Sequence, residues 1–193
     1  DHFLKASPVT LQQLKDRPEG LWYGERCYNI EAKGQIRTPS KKIELYSQTL
    51  ADAGYDPIPV HKEPTQSKVS RPELAEEYPL ILNTGARTVE YTHWQLKNIR
   101  ELRDLAPDPI AELNPATAAE CNVRDGDWIV VETRKGSIKV KASSTPDMMP
   151  GVVNVLHGWS GDQNQNLLTQ TEPRDPVTGY PELRAIACRI RPA

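Results

Sequence analysis

The chain has 193 residues, enough for one well-buried core with an appended segment. Its 24 basic and 26 acidic residues leave a net charge of −2, without the positive surplus that nucleic-acid binding needs. Hydrophobic content is 37%, and no apolar run approaches the roughly 20 residues of a membrane-spanning helix.

Seventeen prolines, about twice the usual share, favour strands, turns and irregular connections over long helices. Cys27, Cys121 and Cys188 are odd in number and far apart, with no Cys-x-x-Cys. They spell neither a disulfide framework nor a zinc or iron–sulfur site within this chain. The sequence starts at Asp1 with no signal or transit segment, so it is expected to be a piece of a longer polypeptide, cytoplasmic or periplasmic.

Taken in order, Thr10 predicts a helix cap ahead of Leu11 and Leu14. Trp22, Tyr23 and Tyr28 fall in irregular structure and are expected to pack against a neighbour. Thr38-Pro39-Ser40 reads as a turn, residues 43–46 as a short strand, and Ser47 as the cap of a helix stopped by Gly54. Residues 65–77 carry charge without apolar periodicity and read as a linker, which sets the main boundary near Arg71: an irregular α+β segment over 1–70 and a second region over 71–193.

That region opens with Leu80-Ile81-Leu82, an apolar run suited to a strand buried on both faces and ended by Thr84-Gly85. Leu96, Ile99, Leu102 and Leu105 recur at helical spacing. Residues 110–113 form a short strand, and Asn114-Pro115 opens a helix. Arg124-Asp125-Gly126-Asp127 turns the chain into a strand from Trp128. Lys135-Gly136 turns it back into an alternation of Ile138, Val140 and Ala142 with Lys139 and Lys141. Strands over 151–156 and 183–190 complete about six, separated by a long polar stretch over 160–179. The pattern predicts a mainly β fold with short helices, closed or nearly closed as a barrel.

Chemistry concentrates just after the strands. Gly85 allows close backbone approach to a ligand, and Arg87 supplies a planar cation for phosphate. His93, Trp94, Gln95 and Asn98 add donors, acceptors and a large ring, although the same residues also suit a plain surface turn. His157-Gly158-Trp159 and Asn164 to Asn166 are further polar clusters at strand ends, and strand ends in a small barrel converge. No nucleophile triad, phosphate loop or metal-ligand spacing is present, so no catalytic and no metal-binding residue is expected.

These segments carry a family resemblance. Leu80-Ile81-Leu82-Asn83-Thr84-Gly85-Ala86-Arg87 followed by His93-Trp94-Gln95 resembles the dinucleotide-binding segment of the molybdopterin oxidoreductases related to dimethyl sulfoxide reductase. Glu112-Leu113-Asn114-Pro115, the run from Val123 to Val131, Lys135-Gly136-Ser137-Ile138, His157-Gly158-Trp159 and the closing Asp175-Pro176-Val177-Thr178-Gly179 are similar to that family's C-terminal barrel.

The resemblance implies a double-psi six-stranded β-barrel that orients molybdopterin guanine dinucleotide carrying molybdenum or tungsten. Thr84, Gly85, Arg87, His93, Trp94 and Gln95 would contact that cofactor, joined by His157, Trp159, Asn166 and Arg184. Ala86 stands where the family often has Arg, and Lys41 where it often has Gly. The metal-ligating residue and any iron–sulfur cysteines would lie outside this chain. Its partners would be the remaining domains of the same catalytic subunit and electron-transfer subunits, and it would be inactive alone.

Two other readings stay open at this point. A double-psi barrel also serves as a stand-alone adaptor module without redox activity. Gly136-Ser137 is also the type of bond that self-processing pyruvoyl enzymes cleave, although a plain hairpin turn explains it as well.

Overall fold

Six strands form the framework of the computed structural model, which describes residues 4–5, 7–22, 36 and 38–193. The chain forms two compact units, Asp1–His61 and Lys62–Ala193.

The first unit holds two short helices. Thr10 caps α1 (Leu11–Lys15) through a reciprocal pair with Gln13, and Ser47 caps α2 (Gln48–Asp52) by accepting from the Leu50 amide. Both caps follow the sequence expectation. The expected strand over 43–46 does not form: Ile43 is 76% and Leu45 85% exposed. Its apolar residues meet no partner strand among the described residues, and residues 38–44 instead close into a turn through Thr38 Oγ1 to the Lys42 carbonyl and the Ser40 amide to Glu44. Trp22 is largely exposed, and Tyr23 and Tyr28 lie outside the described residues.

In the second unit the expected linker contains a helix, α3 (Pro72–Glu77). It starts on a proline at its first turn and buries one apolar residue, Leu74, against Tyr78 and Ala187. One buried residue in six leaves no periodicity to read. The remaining elements are β1 (Leu80–Arg87), α4 (Arg100–Leu105), β2 (Ile110–Leu113), α5 (Pro115–Glu120), β3 (Trp128–Glu132), β4 (Ser137–Ser144), β5 (Val152–His157) and β6 (Arg184–Pro192).

The strands close into a barrel in the order β1-β5-β2-β4-β3-β6. β1 pairs parallel with β5 and β2 with β4; all other neighbours are antiparallel. Closure leaves no unpaired sheet edge. The double-psi six-stranded β-barrel expected from the sequence is the fold found. Alternate residues fill its interior: Leu82, Leu113, Ile129, Val131, Val140, Val153 and Cys188 are all fully buried. Each such aliphatic side chain contributes about 1.5–3 kcal/mol by leaving water.

β1 differs from expectation in two ways. It alternates between buried and half-buried positions rather than burying both faces, and it continues through Thr84-Gly85 to Arg87. A shift of register against β5 between Thr84 and Ala86, with Gly85 at φ +107°, lets the strand bend without ending. The helical spacing from Leu96 to Leu105 yields a helix only from Arg100; residues 92–98 form successive turns.

Residues 160–179 are tied down despite lacking strands. Leu168 is fully buried in the core, and its carbonyl accepts from Thr133 Oγ1 at 2.9 Å. Asp175 closes a turn by accepting from the Val177 and Thr178 amides.

Candidate functional site

Strand directions bring the polar segments together. Because β1 and β5 are parallel, both end at the same rim of the barrel, with Arg87 opposite His157. β6 is antiparallel to β1, so its first residue, Arg184, pairs with Asn83 at that rim. The segments after β1, after β5 and before β6 therefore surround one cleft of about 920 Å³.

Local constraints fix its walls. Thr84 Oγ1 donates to the Leu183 carbonyl at 2.6 Å, and the Ala185 amide donates to Asn83 Oδ1 at 3.3 Å. These two bonds hold the entry to β6 against the end of β1, where Ala185 adopts a left-handed φ of +57°. Opposite Gly85, an added Cβ would meet Arg184 Nη2 at 3.9 Å, so the guanidinium spans the bare backbone. At Gly158, φ is +117° and a Cβ would lie 2.6 Å from the His93 carbonyl. Only glycine lets the chain after β5 approach the segment after β1 this closely.

Two imidazoles meet across that approach: His157 Nε2 lies 2.6 Å from His93 Nδ1. Burial, then the neighbouring His93 and Arg87, holds His157 below the usual histidine range.

The cleft lining combines cationic, aromatic and neutral polar side chains. Arg87 and Arg184 face the cleft, and neither is paired with a carboxylate among the described residues. The one carboxylate in the lining, Glu182, is engaged by the Thr65 hydroxyl and amide. Trp94, Trp159 and Tyr180 supply aromatic surface, and Asn164, Asn166 and Ser160 supply neutral polar groups. Trp159 Nε1 and Gln165 Oε1 are buried without a hydrogen-bond partner, the type of unmet demand that a polar ligand or water relieves.

Of the expected contact residues, Thr84, Gly85, Arg87, His93, Trp94, His157, Trp159, Asn166 and Arg184 line the cleft; Gln95 does not. Sequence reasoning missed Tyr180, Glu182 and Leu183, which reach the site only because β6 starts there. It also missed Lys97, whose ammonium lies behind the wall over the rings of Trp159 and Trp94. The basic–aromatic spacing of Trp94 and Lys97 was visible in the sequence, but the second ring comes from a distant segment. No group of three or more metal-ligating side chains occurs among the described residues.

The closed barrel thus carries at one rim a cleft with two guanidinium groups and aromatic walls. Residues 80–187 match the family model described as the molydopterin dinucleotide binding domain, and the chain belongs to that family. Acetylene hydratase of Syntrophotalea acetylenica is 41% identical over 129 residues, which cover 66% of this chain and 18% of that protein. Dimethyl sulfoxide reductase DmsA of Escherichia coli is 30% identical over 187 residues, covering 86% of this chain and 22% of its own. The solved acetylene hydratase from Pelobacter acetylenicus superposes with a TM-score of 0.73 at 34% identity, over 81% of this chain and 24% of that one. The chain thus spans less than a quarter of the length of each of these relatives.

Proposed function

We propose that this chain is the C-terminal domain of a catalytic subunit that uses molybdopterin guanine dinucleotide with molybdenum or tungsten, and that the rim cleft holds part of that cofactor. The observation that carries the reading is the pair of guanidinium groups, Arg87 and Arg184, uncompensated among the described residues, in an aromatic-walled cleft of a chain belonging to this family.

Pyrophosphate charge suits Arg87, Arg184 and the bare backbone at Gly85, since guanidinium groups bind phosphate through paired donors. Trp94, Trp159 and Tyr180 suit the flat faces of the pterin or base. His93, His157 and Asn166 supply polar contacts at the same cleft. When bound, the cofactor supplies the redox chemistry, and this chain supplies orientation and electrostatics.

The relatives include reductases and a formate dehydrogenase subunit, which supports an oxidoreductase as the parent activity. The hydratase relative supports a second reading, addition of water without net electron transfer to substrate. In both readings the domain is inactive without the other domains of its subunit, with electron-transfer subunits as further partners.

Titration with purified molybdopterin guanine dinucleotide, wild type beside Arg87→Ala, tests the assignment. Saturable binding weakened by the substitution is expected. Equal affinity in both proteins, or binding undiminished by blocking the cleft through Gly85→Trp, would place the cofactor elsewhere.

A further inference from the structure

Behind the cleft wall, Lys97 makes contacts that cofactor binding does not explain. Its ammonium lies 4.3 Å from the Trp159 ring centroid, 4.6 Å from that of Trp94 and 6.0 Å from that of Tyr91. It also donates to the Gly158 carbonyl at 3.3 Å. Among the described residues no carboxylate pairs with it, and burial lowers its pKa from the usual lysine value. Tyr91 and Trp159 meet edge to face, with centroids 6.2 Å apart, and both are buried. The box is closed at its far end by the Tyr91 hydroxyl, which donates to the Ala106 carbonyl at 2.6 Å.

We propose that Lys97 is a positioning residue of the cleft. Its half-buried ammonium pins Trp94 and Trp159 and sets a positive charge behind the anion-binding face. The proposal rests on the cofactor reading above. Three facts join in it. Trp94, Gly158 and Trp159 line the cleft, Lys97 touches all three, and they come from two segments far apart in sequence. One side chain thus ties residues 91–97 to the end of β5, the same junction that His93 and His157 span. A cation over an aromatic face is attractive and becomes more so as water is excluded. A half-buried positive charge also acts on a nearby anion with less screening than a fully exposed lysine would.

The test uses the whole chain labelled at its tryptophan indoles, with inorganic pyrophosphate as the probe. Lys97→Met keeps the stem and removes the charge; Lys97→Arg restores a cation that also stacks on rings. In Lys97→Met the indole signals of Trp94 and Trp159 are expected to move. Trp128, which has its own cation in Lys139 at 5.8 Å, is expected to stay. The pyrophosphate dissociation constant is expected to rise roughly 3- to 10-fold. Lys97→Arg should return both readouts to near wild type.

Wild-type affinity in Lys97→Met, or an equal defect in Lys97→Arg, would overturn the role while leaving the cofactor reading intact. Failure of wild type itself to bind pyrophosphate would count against the cofactor reading. The indole signals then judge the pinning alone: unmoved signals overturn it and moved signals support it.

Discussion

Nε2 of His157 and Nδ1 of His93 stand 2.6 Å apart at the rim of the barrel, a contact that requires one ring to donate and the other to accept. Both rings cannot be cations at this distance. His157 is held below its ordinary value of 6.5 by burial first and then by His93 and Arg87, with the Ala86 carbonyl pulling the other way. The unfolded chain therefore takes up a proton at higher pH than the native one. The stability contribution is fully present above about pH 6.5 and is lost as pH falls from there through the lower folded value. Denaturant titrations between pH 5 and 8 should show this slope in wild type and a flatter one in His157→Gln; an unchanged slope would assign the pH dependence to other groups.

Arg87 and Arg184 should act through charge. Replacing either by Ala is expected to weaken pyrophosphate binding about 10-fold or more, the scale of a lost charge-assisted hydrogen bond. It should also flatten the salt dependence of affinity, because surface-accessible charge is screened. Calorimetry at several salt concentrations measures both; unaltered salt dependence in the double variant would remove these residues from the site.

Gly158→Ala tests the close approach of the two cleft segments. The left-handed φ and the 2.6 Å approach to the His93 carbonyl both resist a side chain. A loss of about 1–3 kcal/mol is expected from the strained backbone. Loss of the His93–His157 contact should accompany it, visible as a change in the imidazole resonances. Wild-type stability in this variant would mean that the junction can open without cost.

The barrel interior should answer as a packed core. Leu82 is fully buried on β1 between β5 and β6, and Leu82→Ala should cost about 2–5 kcal/mol in chemical denaturation. A change under 1 kcal/mol would contradict the burial.

Thiol reactivity should follow burial as well. Cys188 is fully enclosed, and burial pushes its thiol far above the ordinary range; Cys121 is only partly covered, and its thiol is raised by burial and by Glu120. Native alkylation followed by peptide mapping should leave Cys188 unmodified while Cys121 reacts slowly. Rapid labelling of Cys188 would show that the barrel opens.

Local chemistry was legible in the residues themselves. Thr10, Ser47 and Asn114 cap helices where a short polar side chain precedes a helical run, because a cap needs only its own next few amides. The alternation of Ile138, Val140 and Ala142 with lysines gave β4 and its buried face directly, since a strand's two faces alternate with the sequence. The ordered motifs from Leu80 to Trp159 carried the family and, with it, the closed barrel.

Other features depend on partners remote in sequence. The apolar residues over 43–46 resembled a strand, but a strand requires a neighbour to take its hydrogen bonds, and none is there among the described residues. α3 exists because Leu74 finds Tyr78 and Ala187, the last more than a hundred positions away. Arg184 reaches Arg87's cleft, and Trp159 reaches Lys97, only because parallel and antiparallel pairing delivers the ends of β1 and β5 and the start of β6 to one rim. The sequence by itself determined which residues could cap, alternate and bind anions. Tertiary pairing decided which of them meet, because strand direction and closure are set by contacts that no local window contains.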